Sequence, residues 1–244
     1  TLNPASPYGS YTNSSWAYLP RGTMGLLFDQ QFGLVTNAPV YAGAVLGLVA
    51  LARQRPRLAT ELVLVSVPYV VAAASYAMWW GGVSAPARFL AALMPLAVLP
   101  IAWWWRERPE AGWRALTLAL LLLSGVMVVA RVCVDNGIMV FNDRDGYDLL
   151  LDWAAKSADL PRAFPSFHRD ALGAALVDVA IWGIAGLLLA GIARVLSTRP
   201  QRSAGAVWTV TVAAAAALSM LAATTVWARQ GTWGATPGRS QFAF

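Results

Sequence analysis

Cysteine, histidine and lysine are almost missing from this 244-residue chain, which has one cysteine, one histidine and, among 18 basic residues, Lys156 as its single lysine. A lone Cys133 excludes an internal disulfide. His168, with no cysteine, second histidine or HExxH pattern to join it, leaves a zinc site without support and reads as a surface histidine. Charge is scarce too, at 12% of residues against 58% hydrophobic ones. The sequence carries no Walker loop, dinucleotide fingerprint, nucleophile elbow or metal-ligand cluster, which disfavours a cytoplasmic nucleotide-using enzyme. Nor does a charged-then-apolar leader open it: the first twenty residues are polar and rich in turn formers. The chain starts on Thr1 and stops at Phe244 without a charged tail, so it is expected to be a piece of a longer protein.

What the sequence has in quantity is apolar length. Six stretches, near 36–52, 61–80, 88–105, 114–134, 172–197 and 206–228, are long enough or nearly so to cross a hydrocarbon layer of about 30 Å as helices. They lack the two-residue alternation of barrel strands, and lipid gives backbone groups no partners, so helices are required. The expected fold is all-α: a single membrane domain over 1–244, a bundle of about six spanning helices with short interfacial ones.

Charge in the connections gives an independent check. The turns after the first, third and fifth stretches carry Arg53, Arg55 and Arg57, then Arg106, Arg108 and Arg114, then Arg194, Arg199 and Arg202, opposed by Glu61, Glu107 and Glu110. Short arginine-rich turns lie on the cytoplasmic side. Residues 1–35, 81–87, 135–171 and the C-terminal tail then lie outside. The net charge of +6 comes from orientation signals of this kind, and nucleic-acid binding is not expected.

The outer segments hold the candidate chemistry. Met24, Leu27, Phe28, Phe32 and Leu34 keep helical spacing, so 22–34 is expected to be an interfacial helix. Its Asp29, Gln30 and Gln31 either meet water or face a polar cavity and contact a hydroxylated substrate. In "YAMWWGGVSAPARFL", Trp79 and Trp80 suit an interface, Gly81 and Gly82 permit a tight reversal, and Arg88 opens the return helix where orientation gives it no role. Arg88 either snorkels or binds an anion through two parallel guanidinium bonds. In the longest outer connection, "NDRDG" fails as a calcium loop because Phe141 occupies the first ligand position; it reads as a turn, followed by a short amphipathic helix in "YDLLLDWAA". Asp178 is the one acid within an expected span, with Arg131 its expected partner if buried.

Two of these stretches, "GLLFDQQFGLVTNAPVYAGAVLGLVAL" (25–51) and "WWGGVSAPARFLAALMPLAVLPIA" (79–102), together resemble the later membrane helices of bacterial GT-C type glycosyltransferases, the polyprenyl-phosphate-dependent group related to protein mannosyltransferases. The resemblance covers about 22–105, with a weaker echo in "FNDRDGYDLL". It implies the C-terminal membrane half of an enzyme in a bacterial inner membrane, moving a sugar from a polyprenyl-phosphate carrier to an acceptor at the outer face, with no further cofactor. On that analogy Arg88 holds the carrier phosphate, Trp79 and Trp80 line the lipid or sugar path, and Asp29 and Gln30 contact hydroxyls, with Tyr41 of the Ala-Pro-Val-Tyr pattern completing the substrate-binding set. The family's catalytic acid lies in a first outer loop that this chain is expected to lack, so the catalytic residue stays unknown. The alternative is a non-catalytic polytopic protein, such as a transporter or flippase subunit for lipid-linked glycans.

Overall fold

The computed structural model describes residues 13–143, 145–155 and 159–198. The sixth expected span, 206–228, lies outside them. All regular structure among the described residues is helical. Helix α1 (Leu19–Phe28) and the single turn α2 (Leu34–Asn37) precede a 3-10 turn at Pro39–Tyr41 that runs into α3 (Ala42–Gln54). Pro56 starts α4 (Pro56–Ala74), a position where proline's missing amide costs nothing. After an irregular stretch, a 3-10 turn (Arg88–Leu93) leads into α5 (Met94–Glu107), then α6 (Ala111–Cys133). A 3-10 turn at Val134–Val140, α7 (Leu149–Ala154) and a 3-10 turn at Leu160–Ala163 lead to α8 (Leu172–Thr198).

Four helical segments are long and apolar enough to cross a membrane: Pro56–Ala74, Arg88–Glu107, Ala111–Cys133 and Leu172–Val195; Pro39–Gln54 is a shorter apolar fifth. Their large side chains point outward, with Leu64, Val129 and Leu187 between 60% and 74% exposed. Water would not tolerate apolar surface on that scale, whereas lipid solvates it. The chain is an all-α membrane bundle.

Consecutive long helices run antiparallel, so the described connections collect at two ends. At one, Gln54 Nε2 donates to Glu107 Oε2 over 2.5 Å, and Gly112 packs against the backbone of Ala193. This arginine end gathers the two described basic turns, 53–57 and 106–114, together with Arg194. The other end is a cap built from the described residues of 13–41, 75–93 and 134–171. Helices α3 and α5 approach closely where Gly47 faces the Pro100 carbonyl, leaving no room for a Cβ. Small residues at such crossings let backbones meet without intervening side chains, the usual basis of helix association in lipid.

Two expected boundaries change. Helix α4 stops at Ala74 instead of reaching residue 80, because Trp79 and Trp80 turn inward and join the core with Phe32, Leu26, Leu90 and Phe167. The expected interfacial helix at 22–34 ends at Phe28 and is an integral part of the cap, with Gly22 seated on Ala74 and Gly25 on the Trp79 ring. The amphipathic helix in "YDLLLDWAA" is α7, with Leu150 and Trp153 buried and Asp148 capping it by accepting from Leu151 N at 3.0 Å.

Candidate functional site

Polar side chains from three distant parts of the sequence converge in the cap, and nearly every one is sealed from solvent. Asp29, Gln30 and Gln31 are 0% exposed, as are Asn142, Asp148 and Ser166. Asp29, Gln30 and Gln31 sit in the break between α1 and α2, where the chain leaves helical geometry and its amides lose intrahelical partners. Asp29 supplies replacements: Oδ1 accepts from Gln31 N and Phe32 N, while Oδ2 accepts from Phe167 N at 2.7 Å. Burial pushes its carboxyl up to about 6, outweighing the three backbone N–H bonds that pull it down, and the charge of Asp148 adds to the rise.

The two glutamines bind the long connection between α6 and α8. Gln30 Nε2 donates to the carbonyls of Pro161 and Phe164, and its Oε1 accepts from Asp148 N. Gln31 Nε2 donates to the carbonyls of Asp143 and Tyr147 and to Asp145 Oδ1, while Oε1 accepts from Gly146 N. Asn142 Nδ2 donates to the Gln31 carbonyl at 3.0 Å and to Asp148 Oδ2 at 3.2 Å. A buried amide left without partners costs about 1–3 kcal/mol, so this degree of satisfaction marks the network as a fastener for 142–167.

Arg131 completes it from the cap end of α6. Its Nη2 donates to Asp148 Oδ2 at 2.7 Å and to Asn37 Oδ1, and Nη1 donates to the Met139 carbonyl at 3.1 Å. The pair is buried on both sides. Asp148, rather than the expected Asp178, is therefore the partner of Arg131.

Asp29 and Gln30 thus lie in the interior, correcting both expectations, contact with water and a polar cavity: their main hydrogen-bonding atoms are spent on backbone groups. Trp79 and Trp80, 3% and 8% exposed, likewise do not line an open path. They form an aromatic box with His168, which stacks on Trp79 at 5.1 Å and 14° and meets Trp80 edge-on at 4.6 Å. Phe32 closes it, 5.7 Å from the His168 ring. His168 is consequently a packed histidine instead of a surface one. Tyr41 is half-buried against the same core cluster.

Arg88 is different. Its side chain is exposed at the head of the turn entering α5, and Nη1 donates to the Gly81 carbonyl at 3.1 Å. Among the described residues it has no ion pair. Gly81 and Gly82 have φ of +87° and +80°, which L side chains rarely adopt, so the two glycines of the motif are conformational requirements of the turn that presents Arg88. Behind it, the box of Trp79, Trp80 and His168 fixes the turn to the cap.

A polar cleft of about 340 Å³ opens at the same end, lined by Tyr147, Arg162, Arg169, Asp170, Ala174 and Asp178. Arg169 grips Asp170 through two bonds of 2.8 Å and lies over the Tyr147 ring at 5.1 Å; the hydrogen bonds to Asp170 hold its guanidinium above its usual range. Arg162 pairs with Asp159 at 3.0 Å. Asp178 projects from the α8 face that also carries Ala174, one turn away, and makes no hydrogen bond or ion pair among the described residues. Equal numbers of acidic and basic groups line this cleft, an arrangement suited to a neutral hydroxylated ligand. Among the described residues no group of three or more His, Cys, Asp or Glu is assembled that could hold a metal ion.

No family model, curated protein or solved structure matches this chain. The sequence singled out Arg88 and Asp178, but missed Tyr147, Arg169 and Asp170, whose pattern has no local signature. The capping role of Asp148 had a signal: an aspartate directly before the apolar run of "LLLDWAA" is an N-cap pattern.

Proposed function

We propose that this chain forms membrane helices and an outer cap of a GT-C-like glycosyltransferase in the bacterial inner membrane, with Arg88 binding the phosphate of a polyprenyl-phosphate sugar donor. The observation that carries the proposal is the exposed Arg88 guanidinium, held to the Gly81 carbonyl and lacking an ion pair among the described residues. The resemblance of 25–51 and 79–102 to that enzyme group supports the same reading.

The chemistry explains why an arginine belongs there. An acceptor hydroxyl attacks the anomeric carbon, the bond from that carbon to the phosphate oxygen breaks, and the carrier phosphate leaves with one more negative charge. The hydroxyl proton passes to a base. A guanidinium at the phosphate stabilises the leaving group more strongly as charge develops than in the bound donor, which is what accelerates transfer. The base is a carboxylate other than Asp29, whose oxygens are turned to backbone amides. Trp79 and Trp80 act as positioning residues for the Arg88 turn, and the cleft of Tyr147, Arg169 and Asp178 receives sugar hydroxyls.

The test is sugar transfer by the full-length protein from a polyprenyl-phosphate donor in proteoliposomes. Losing a charge-assisted hydrogen-bonding group of this kind costs about 1.5–3 kcal/mol, so Arg88→Ala is expected to slow transfer roughly 10- to 150-fold, with Arg88→Lys between the two. Unchanged transfer by Arg88→Ala removes the phosphate assignment. Movement of the intact lipid-linked glycan across the bilayer without transfer would replace the enzyme reading by the transporter one.

A further inference from the structure

A second cleft, of about 310 Å³, lies at the arginine end between α6 and α8 and is lined by Arg108, Glu110, Trp113, Arg194 and Ser197. Its charge differs from that of the cap cleft. There, Arg162 and Arg169 both face carboxylates at 3.0 Å or less. Here, Arg194 is exposed and has no ion pair among the described residues, and Arg108 stands 3.8 Å from Glu110, the single acid on the wall. The surroundings add Arg106 and Arg114, each lying over a tryptophan ring, at 5.7 Å from Trp103 and 5.4 Å from Trp105. Arg108 lies over Trp104 at 5.2 Å, and Trp104 meets Trp113 edge-on at 5.2 Å.

Tryptophans with stacked arginines mark the depth at which a membrane helix meets phosphate headgroups. The cleft opens between two helices whose outward faces are apolar, so a ligand whose tails run along α6 and α8 can place its headgroup in it. An anion would meet at least one guanidinium with no competing carboxylate. We infer that this cleft binds the phosphate of an anionic glycerophospholipid, with Arg194 and Arg108 as the contacting groups. The site is separate from the cap and does not depend on the sugar-transfer reading. The shared chemistry, a phosphate group, also exists as free phosphate; the apolar walls of α6 and α8 favour the lipid.

Native mass spectrometry of the full-length protein, released from nanodiscs holding equal amounts of phosphatidylglycerol and phosphatidylcholine, tests it. Preferential retention of phosphatidylglycerol is expected, falling roughly fivefold in each of Arg194→Ala and Arg108→Ala. Arg57→Ala, which removes an exposed arginine of the same end outside the cleft, is expected to change retention less than about twofold. Arg194→Gln keeps the stem's packing and serves as the second variant; unchanged tryptophan emission checks that both are folded. Retention that is equal for the two lipids, or unaltered by Arg194→Ala and Arg108→Ala, overturns the inference. So does equal loss in Arg57→Ala, which would mean diffuse attraction, or displacement of the lipid by millimolar inorganic phosphate, which would mean a free anion is the ligand.

Discussion

Among the described residues, Arg131 is the one cation in the buried network of the cap, and replacing it by methionine removes that charge. Asp148 would keep its bonds from Leu151 N and Asn142 Nδ2 but lose the guanidinium 2.7 Å from Oδ2. With both residues sealed, the carboxylate cannot recover solvation by moving slightly. Breaking such a pair from one side costs about 3–5 kcal/mol, because the remaining charge is buried alone. Asp148→Asn should be nearly as damaging, since it leaves Arg131 with only Asn37 and the Met139 carbonyl. The double variant removes both charges, and asparagine still caps α7, so its loss should fall well below the sum of the two. The assay is reversible unfolding in mixed micelles with rising sodium dodecyl sulfate, read by the fluorescence of the chain's 12 tryptophans. A coupling energy of about 1.5 kcal/mol or more is expected. Losses that simply add, or an Arg131→Met variant within about 1 kcal/mol of the parent, would refute the idea that this pair holds α6 to the connection between α6 and α8.

Asp29 gives the cap a pH dependence of defined sign. Its folded pKa of about 6 lies above the ordinary aspartate value of 3.8, so the folded protein holds this proton more tightly than the unfolded chain. Its contribution is favourable at low pH and declines as pH rises from about 4 to 6, by roughly 3 kcal/mol in all. Unfolding measured across that window should show a shallower decline in Asp29→Asn than in the parent; identical slopes would contradict the burial argument. Gly47→Ala should lower stability by about 1–3 kcal/mol because the new methyl meets the Pro100 carbonyl, while Gly183→Ala, with open space around it, should be neutral or stabilising by up to about 1 kcal/mol. The same micelle titration compares them, and equal effects at the two glycines would rule out the close α3–α5 crossing.

Apolar length was enough to find the helices, because each described span must satisfy its own backbone in lipid and is marked by composition alone. The ends of those helices were less legible. Helix α4 was expected to reach Trp80, since tryptophan belongs at an interface, but the indoles of Trp79 and Trp80 gain more by stacking with His168, which lies over 80 residues away in sequence. The network around Asp29, Gln30 and Gln31 was invisible for the same reason. Their distant partners sit 111 to 138 residues downstream, and no local pattern announces such a pairing. Pairing Arg131 with Asp178 failed because helix position alone was weighed, whereas Asp148 is brought beside Arg131 by the turn that caps α7. Arg88 was conspicuous in sequence as an arginine in a connection expected on the side the orientation rule does not favour, and its exposed place on the turn follows from the two glycines before it.

The proposed transfer at the outer face requires the cap, with Arg88, to face outward and the arginine end to face the cytoplasm. Single cysteines at Val83 and Gln54, both exposed and at opposite ends, test this directly in full-length protein carrying Cys133→Ala. In intact cells, a membrane-impermeant maleimide should label Val83→Cys and leave Gln54→Cys unmodified until the membrane is opened. The reverse pattern would put Arg88 in the cytosol and contradict the proposed transfer at the outer face.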